Sequence, residues 1–106
     1  MISLPRSVVL APGRTPMHPG HFLATRFMAP LGVSQEALAG LLAISRRRVN
    51  ELVLGKRGMT PDTALRLALY FGPSAEFWMG LQNAWDLHQA RRQFRASIDD
   101  KGSRAR

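Results

Sequence analysis

The 106-residue chain has no cysteine, which excludes disulfides, thiolate nucleophiles and structural zinc of the cysteine type. Acids are scarce too: seven Asp and Glu stand against fifteen Lys and Arg, a formal net charge of +8. Those seven are scattered, and His88 has no plausible nucleophile beside it, so no general acid and base pair is visible. The expectation is a protein that is not an enzyme and uses no cofactor. Long apolar runs are also missing. The opening MISLPRSVVLAPGR is a short apolar patch broken by Pro5 and Pro12, far below the roughly 20 apolar residues of a membrane span. A cytoplasmic location without a membrane partner is expected.

What remains is one small domain with room for one modest hydrophobic core. The cation excess favours a polyanionic partner through long-range attraction and counterion release. Nucleic acid is the leading candidate. An anionic membrane surface fits less well, because the arginines face away from an apolar stripe that the core needs, leaving no exposed apolar face to insert.

Pro5, Pro12, Pro16 and Pro19, with Gly13 and Gly20, punctuate the first twenty residues, and helical periodicity follows. This predicts a flexible leader over 1–17, a folded all-helical domain over 18–95 and a disordered basic tail over 96–106. The first helix is expected from about Pro19 to Ala29, ended by Pro30-Leu31-Gly32. Ser34 offers an N-cap to a two-turn helix, Gln35 to Leu41, and Ser45 caps another that closes at Gly55 in a left-handed turn. Thr60-Pro61 supplies cap and first-turn proline for a helix to Phe71. The last helix runs from Ala75 to about Arg95, where Arg91, Arg92 and Arg95 complement the helix dipole.

The stretch SRRRVNELVLGKRG, Ser45 to Gly58, holds the strongest functional signal. Two short helices joined by a three- or four-residue turn have helix-turn-helix spacing, in which the second helix enters the major groove of DNA. If Val49 and Leu52 point inward, the 3.6-residue period turns Arg46, Arg47, Asn50 and Glu51 outward. Arginine matches the O6 and N7 edge of guanine, and Asn the N6 and N7 edge of adenine. Glu51 can accept from cytosine or orient an arginine. Arg48, Lys56 and Arg57 lie toward the flanks and suit phosphates. Ser34 and Gln35, at a helix N-terminus, can also meet one.

His18 and His21 lack the neighbouring ligands a metal site needs, so a capping or surface role is expected. Phe77, Trp78, Leu81 and Trp85 form a wide apolar stripe on the last helix, most of it suited to the core. Two tryptophans strain so small an interior, and part of this stripe is expected to form a dimer seam. Isologous pairing there would set two recognition helices about 34 Å apart, one turn of duplex.

The segments HPG (His18 to Gly20), PLGVSQEALA (Pro30 to Ala39), SRRRVNELVLGKRGMTPDTALRLALYFG (Ser45 to Gly72) and SAEFWMGLQNAWDL (Ser74 to Leu87) resemble HigA-type antitoxins. These belong to the phage-repressor-like (λ-repressor-like) helix-turn-helix class. The resemblance implies a five-helix bundle, a homodimer on a palindromic operator, autorepression of an operon, and partnership with a HigB-type toxin. Such a toxin is a ribosome-dependent mRNA endonuclease of RelE-like fold. By position it also implies Gln35, Ser45, Arg46, Arg47, Asn50 and Glu51 as DNA-reading residues. A stand-alone helix-turn-helix repressor without a toxin is the alternative.

Two positions depart from the family pattern. His21 stands where the usual HPGE has an acid, forgoing a favourable charge at a helix N-terminus. Ala43 occupies a turn position that usually holds glycine, at a cost of about 1 kcal/mol if φ is positive there.

Overall fold

The protein is described here by a computed structural model over residues 15–104. The N-terminal part of the expected leader, residues 1–14, lies outside the described residues. Among the described residues five helices follow one another. Helix α1 is continuous through Pro19–Leu23, a π-helical stretch Ala24–Met28, and Ala29–Leu31. Then come α2 (Gln35–Leu42), α3 (Arg46–Val53), α4 (Pro61–Tyr70) and α5 (Ala75–Arg104).

Each start is set by a side chain that accepts an otherwise orphaned amide. Ser34 Oγ accepts from Ala37 N at 3.0 Å and Ser45 Oγ from Arg48 N at 3.1 Å. Thr60 Oγ1 accepts from Thr63 N at 3.2 Å, and Ser74 Oγ from Phe77 N at 3.1 Å. Three residues, 43–45, connect α2 to α3.

Glycine ends α1 and the α3 turn, at Gly32 (φ 66°) and Gly55 (φ 75°), but Ala43 ends α2 at φ 56°. A side-chain-bearing residue in the left-handed region carries roughly 1 kcal/mol or more of strain. The short connection holds it there: Ala43 N donates to Gly40 O and Ile44 N to Ala39 O.

Two boundaries differ from expectation. Helix α1 runs to Leu31, two residues past Ala29, and ends within the expected Pro30-Leu31-Gly32 segment at the left-handed Gly32. Proline has no N–H for a carbonyl four residues back. The π-helical turn before it, closed by Ala29 N to Ala24 O, redistributes those bonds and lets the proline sit inside the last turn. At the other end, α5 runs to Arg104 instead of stopping near Arg95. Residues 81–101 contain neither glycine nor proline and are rich in Ala, Arg and Gln, so nothing local breaks the helix.

The core gathers one face of every helix. Leu23, Leu38, Val49, Leu67 and Trp78 are fully enclosed, each burying a side chain to the benefit of about 1.5–3 kcal/mol. Trp78 is the centre of an aromatic group, 5.7 Å from the rings of both Phe22 and Phe27, and Phe27 in turn meets Phe71 at 5.1 Å.

The tightest joint lies where α1 meets α3. A Cβ on Gly20 would stand 1.7 Å from the Leu52 carbonyl oxygen, so only glycine lets the start of α1 rest on the end of α3. His18 locks this joint. Its Nδ1 accepts from Gly20 N at 2.9 Å, and its ring meets Trp85 edge-on at 5.3 Å. The capping role expected for His18 is thus what the geometry provides.

Burial lowers the His18 pKa from its ordinary 6.5, against the opposing pull of Asp86 and with a smaller lowering from His21. A histidine whose folded pKa is depressed favours folding while neutral. Its contribution is whole above pH 6.5 and is lost as pH falls through the folded value. Urea midpoints should therefore drop on acidification below that pH, and His18→Asn, which keeps a capping oxygen, should flatten that dependence. Identical slopes in the two proteins would remove His18 as the titrating group.

Candidate nucleic-acid interface

Helix α3 is amphipathic by necessity. Val49 and Leu52 are buried, which leaves Arg46, Arg47, Asn50 and Glu51 on the far side. The Arg47 side chain is 85% exposed and reaches only Glu51, with Nε 3.4 Å from Oε2. Among the described residues neither Arg46 nor Lys56 pairs with an acid.

The loop leaving α3 folds back on the same helix. Lys56 N and Arg57 N both donate to the Glu51 carbonyl, at 2.8 and 3.2 Å. Arg57 then donates from Nε and Nη2 to Glu51 Oε1 at 3.2 and 2.8 Å. Glu51 thus sits between two arginines. The Arg57 hydrogen bond above all, with help from Arg47, holds its carboxyl below the usual carboxylate range, and it is ionised at neutral pH.

The first helix of the pair contributes at its N-terminus. Ser34 is exposed, and Gln35 beside it is half-buried. Gln35 Oε1 accepts from Asn50 Nδ2 at 3.1 Å, so a side-chain bond fixes the register of α2 against α3. This same bond holds the Asn50 amide in a defined orientation. Ser34, Gln35, Arg46, Arg47, Asn50, Glu51, Lys56 and Arg57 are thereby supplied by one frame, α2, α3 and the exit loop. Ser45 belongs to that frame through its backbone and its capping oxygen.

Arg48 does not share this placement. Its side chain turns toward α4, where Nη2 donates to Asp62 Oδ2 at 2.8 Å, to Thr60 Oγ1 at 3.4 Å and to Thr63 Oγ1. Nε is buried with no hydrogen-bond partner among the described residues, so the grip runs through Nη2. Arg48, expected at a phosphate, is instead seen tied to Asp62 of α4 through its guanidinium. Sequence spacing carries no signal for a partner fourteen residues away.

Arg66 was not among the expected residues, yet it completes the frame. It donates to Asp62 at 2.9 Å and, from Nη1, to the Leu42 carbonyl at 2.9 Å. It satisfies an orphan carbonyl at the end of α2. The i,i+4 pair with Asp62 is visible in the sequence, but the contact with α2 is not.

The stripe on α5 is also redistributed. Trp78, expected at a dimer seam, is fully enclosed in its own chain and has no surface to offer a partner. Leu81 and Trp85 are half-buried, Trp85 against His18. Phe77 is 42% exposed.

A 74-residue stretch, 70% of the chain, is 47% identical to 68% of virulence-associated protein I of Dichelobacter nodosus. Antitoxin HigA-1 of Vibrio cholerae is 33% identical over 81 residues, 76% of each chain. The chain belongs to the HigA family of helix-turn-helix antitoxins. Among solved structures, the HigA-family fold recurs in the Pseudomonas aeruginosa antitoxin HigA with the higBA promoter. The TM-score is 0.74 at 39% identity, over 80% of this chain and 92% of that one. No family model matches the chain.

The two arginines of this interface should separate cleanly in a stability measurement. Arg48→Ala should cost about 2 kcal/mol in urea denaturation, from the lost charge-assisted bonds to Asp62 and from the buried Thr63 hydroxyl that loses a donor. Arg47→Ala should stay within about 0.5 kcal/mol of the parent. Equal losses would mean that Arg48 does not join α3 to α4.

Proposed function

We propose that the chain is the antitoxin of a toxin-antitoxin operon, binding operator DNA through α3 as an autorepressor and neutralising a HigB-type, mRNA-cleaving toxin. The observation that carries the DNA half is the outward face of α3. Arg46 and Arg47 stand free of the core on a helix whose register is fixed by the Gln35–Asn50 bond and whose entry is capped by Ser45. That is what base readout in a major groove requires.

In this reading Arg46, Arg47 and Asn50 meet base edges. Ser34, Ser45, Lys56 and Arg57 meet the sugar-phosphate backbone and set register. Gln35 reaches DNA from the start of α2 while holding Asn50. The protein works by binding alone, in the cytoplasm at the nucleoid, with no catalytic step and no cofactor. Among the described residues no helix is long and apolar enough to cross a membrane.

The homodimer proposed for a palindromic operator uses the outward side of α5, with Phe77 at its centre and the exposed edges of Leu81 and Trp85 beside it. Trp78 supports that surface from within. Pairing two copies there is compatible with recognition helices one turn of duplex apart, about 34 Å. The toxin half of the proposal draws its support from kinship with named antitoxins.

The decisive comparison joins growth rescue and repression. The adjacent toxin gene is induced in a host carrying either the parent protein or Arg46→Ala with Arg47→Ala, beside a reporter driven by the DNA upstream of the operon. Both proteins should restore growth, and only the parent should silence the reporter, since the two arginines together contribute roughly 2 to 6 kcal/mol of base discrimination. A harmless neighbouring gene, or a toxic one left unrescued, would instead favour a stand-alone repressor.

A further inference from the structure

We infer that Glu51 is an internal competitor for DNA phosphate, occupying Arg47 and Arg57 in the free protein and thereby weakening binding to DNA of the wrong sequence. This deepens the DNA-binding reading above and rests on it.

The arrangement is built from both ends of one residue. The Glu51 carbonyl accepts the amides of Lys56 and Arg57, which brings the exit loop alongside α3. The Glu51 carboxylate then accepts from Arg57 at 2.8 and 3.2 Å and stands 3.4 Å from Arg47. The carboxylate thus lies at the middle of a face that also carries Arg46 and Lys56. Nothing in the core needs it there. The two arginines are exposed, 85% for Arg47 and 44% for Arg57, beside a half-buried Glu51 carboxylate, and ion pairs open to solvent on this side contribute little to stability.

The consequence lies in the charge that the face presents to a phosphate backbone. Binding without sequence choice scales with the number of cations that replace counterions, each adding about 0.9 to the salt slope. Two arginines held by a carboxylate must exchange it for phosphate before they count. A register that places phosphates against this face also meets the negative charge of Glu51 itself. Correct docking can place a base edge there instead, for example a cytosine amino group, which a carboxylate accepts. Discrimination of this type comes from penalising the wrong partner as well as rewarding the right one.

Glu51→Gln, which keeps the shape and removes the charge, tests this on the full chain with two duplexes. One is the DNA upstream of its own coding sequence and the other a random sequence of equal length. At about 0.1 M salt, Glu51→Gln should bind the random duplex several-fold more tightly, with a salt slope steeper by about 1 to 2. The ratio between the two duplexes should shrink, and thermal melting should be unchanged. Adding Arg57→Gln should return about one unit of that slope. An unchanged slope and random-duplex affinity, or weaker binding to both duplexes, would overturn the inference. Should the parent protein bind neither duplex, the DNA-binding reading itself falls, and the proposal with it.

Discussion

The placement of the recognition helix depends on a site with no room for one additional carbon. At Gly20 the backbone of α1 lies so close to the Leu52 carbonyl that a methyl group would overlap it. His18 and Pro19 cap and start α1 at this point, and the His18 ring reaches across to Trp85 on α5. Three consecutive residues therefore fix the C-terminal end of α3 against two other helices. Its N-terminal end is fixed separately, by the Ser45 cap and by the grip of Arg48 on Asp62. Gln35 and Asn50 fix its register against α2. A helix of eight residues is too short to be stable alone, and these joints are what allow it to present four polar side chains in a constant orientation.

The charge on α3 divides by what each side chain faces. Arg48 is spent on the frame. Arg46 is unpaired among the described residues, and Arg47 and Arg57 are lightly held by Glu51. The formal excess of +8 thus overstates what this face shows to a polyanion, and a single carboxylate modulates it. Sequence-specific proteins gain from such restraint, since the attraction to phosphate is shared by every DNA sequence.

Most of the fold was legible because it follows local rules. Ser34, Ser45 and Thr60 cap where a hydroxyl precedes an apolar period, and Gly55 takes the left-handed turn that ends α3. The strain foreseen at Ala43, should its φ be positive, is present. Legibility ended where structure became non-local. Pro30 sits inside the last turn of α1, where the π-helical turn beside it absorbs the missing bond. Arg48 reads as one of three equivalent cations until Asp62 on α4 claims it. Trp78 and Phe77 are neighbours in sequence and both meet Phe22, but Trp78 also meets Phe27 and is enclosed, while Phe77 stays 42% exposed. After Arg95 the chain is polar and short of large apolar residues, which reads as a disordered tail over 96–106, whereas helix propensity carries α5 to Arg104 and residues 105–106 lie outside the described residues.

The most direct test of the central claim, that α3 and its frame form the DNA-binding face, is a titration of backbone amide chemical shifts with the duplex upstream of the coding sequence. The largest changes should fall on Ser34, Gln35, Arg46, Arg47 and Asn50, with Lys56 and Arg57 following, while Arg48 and α4 change little. Changes concentrated on α4 or α5, with α3 silent, would contradict it.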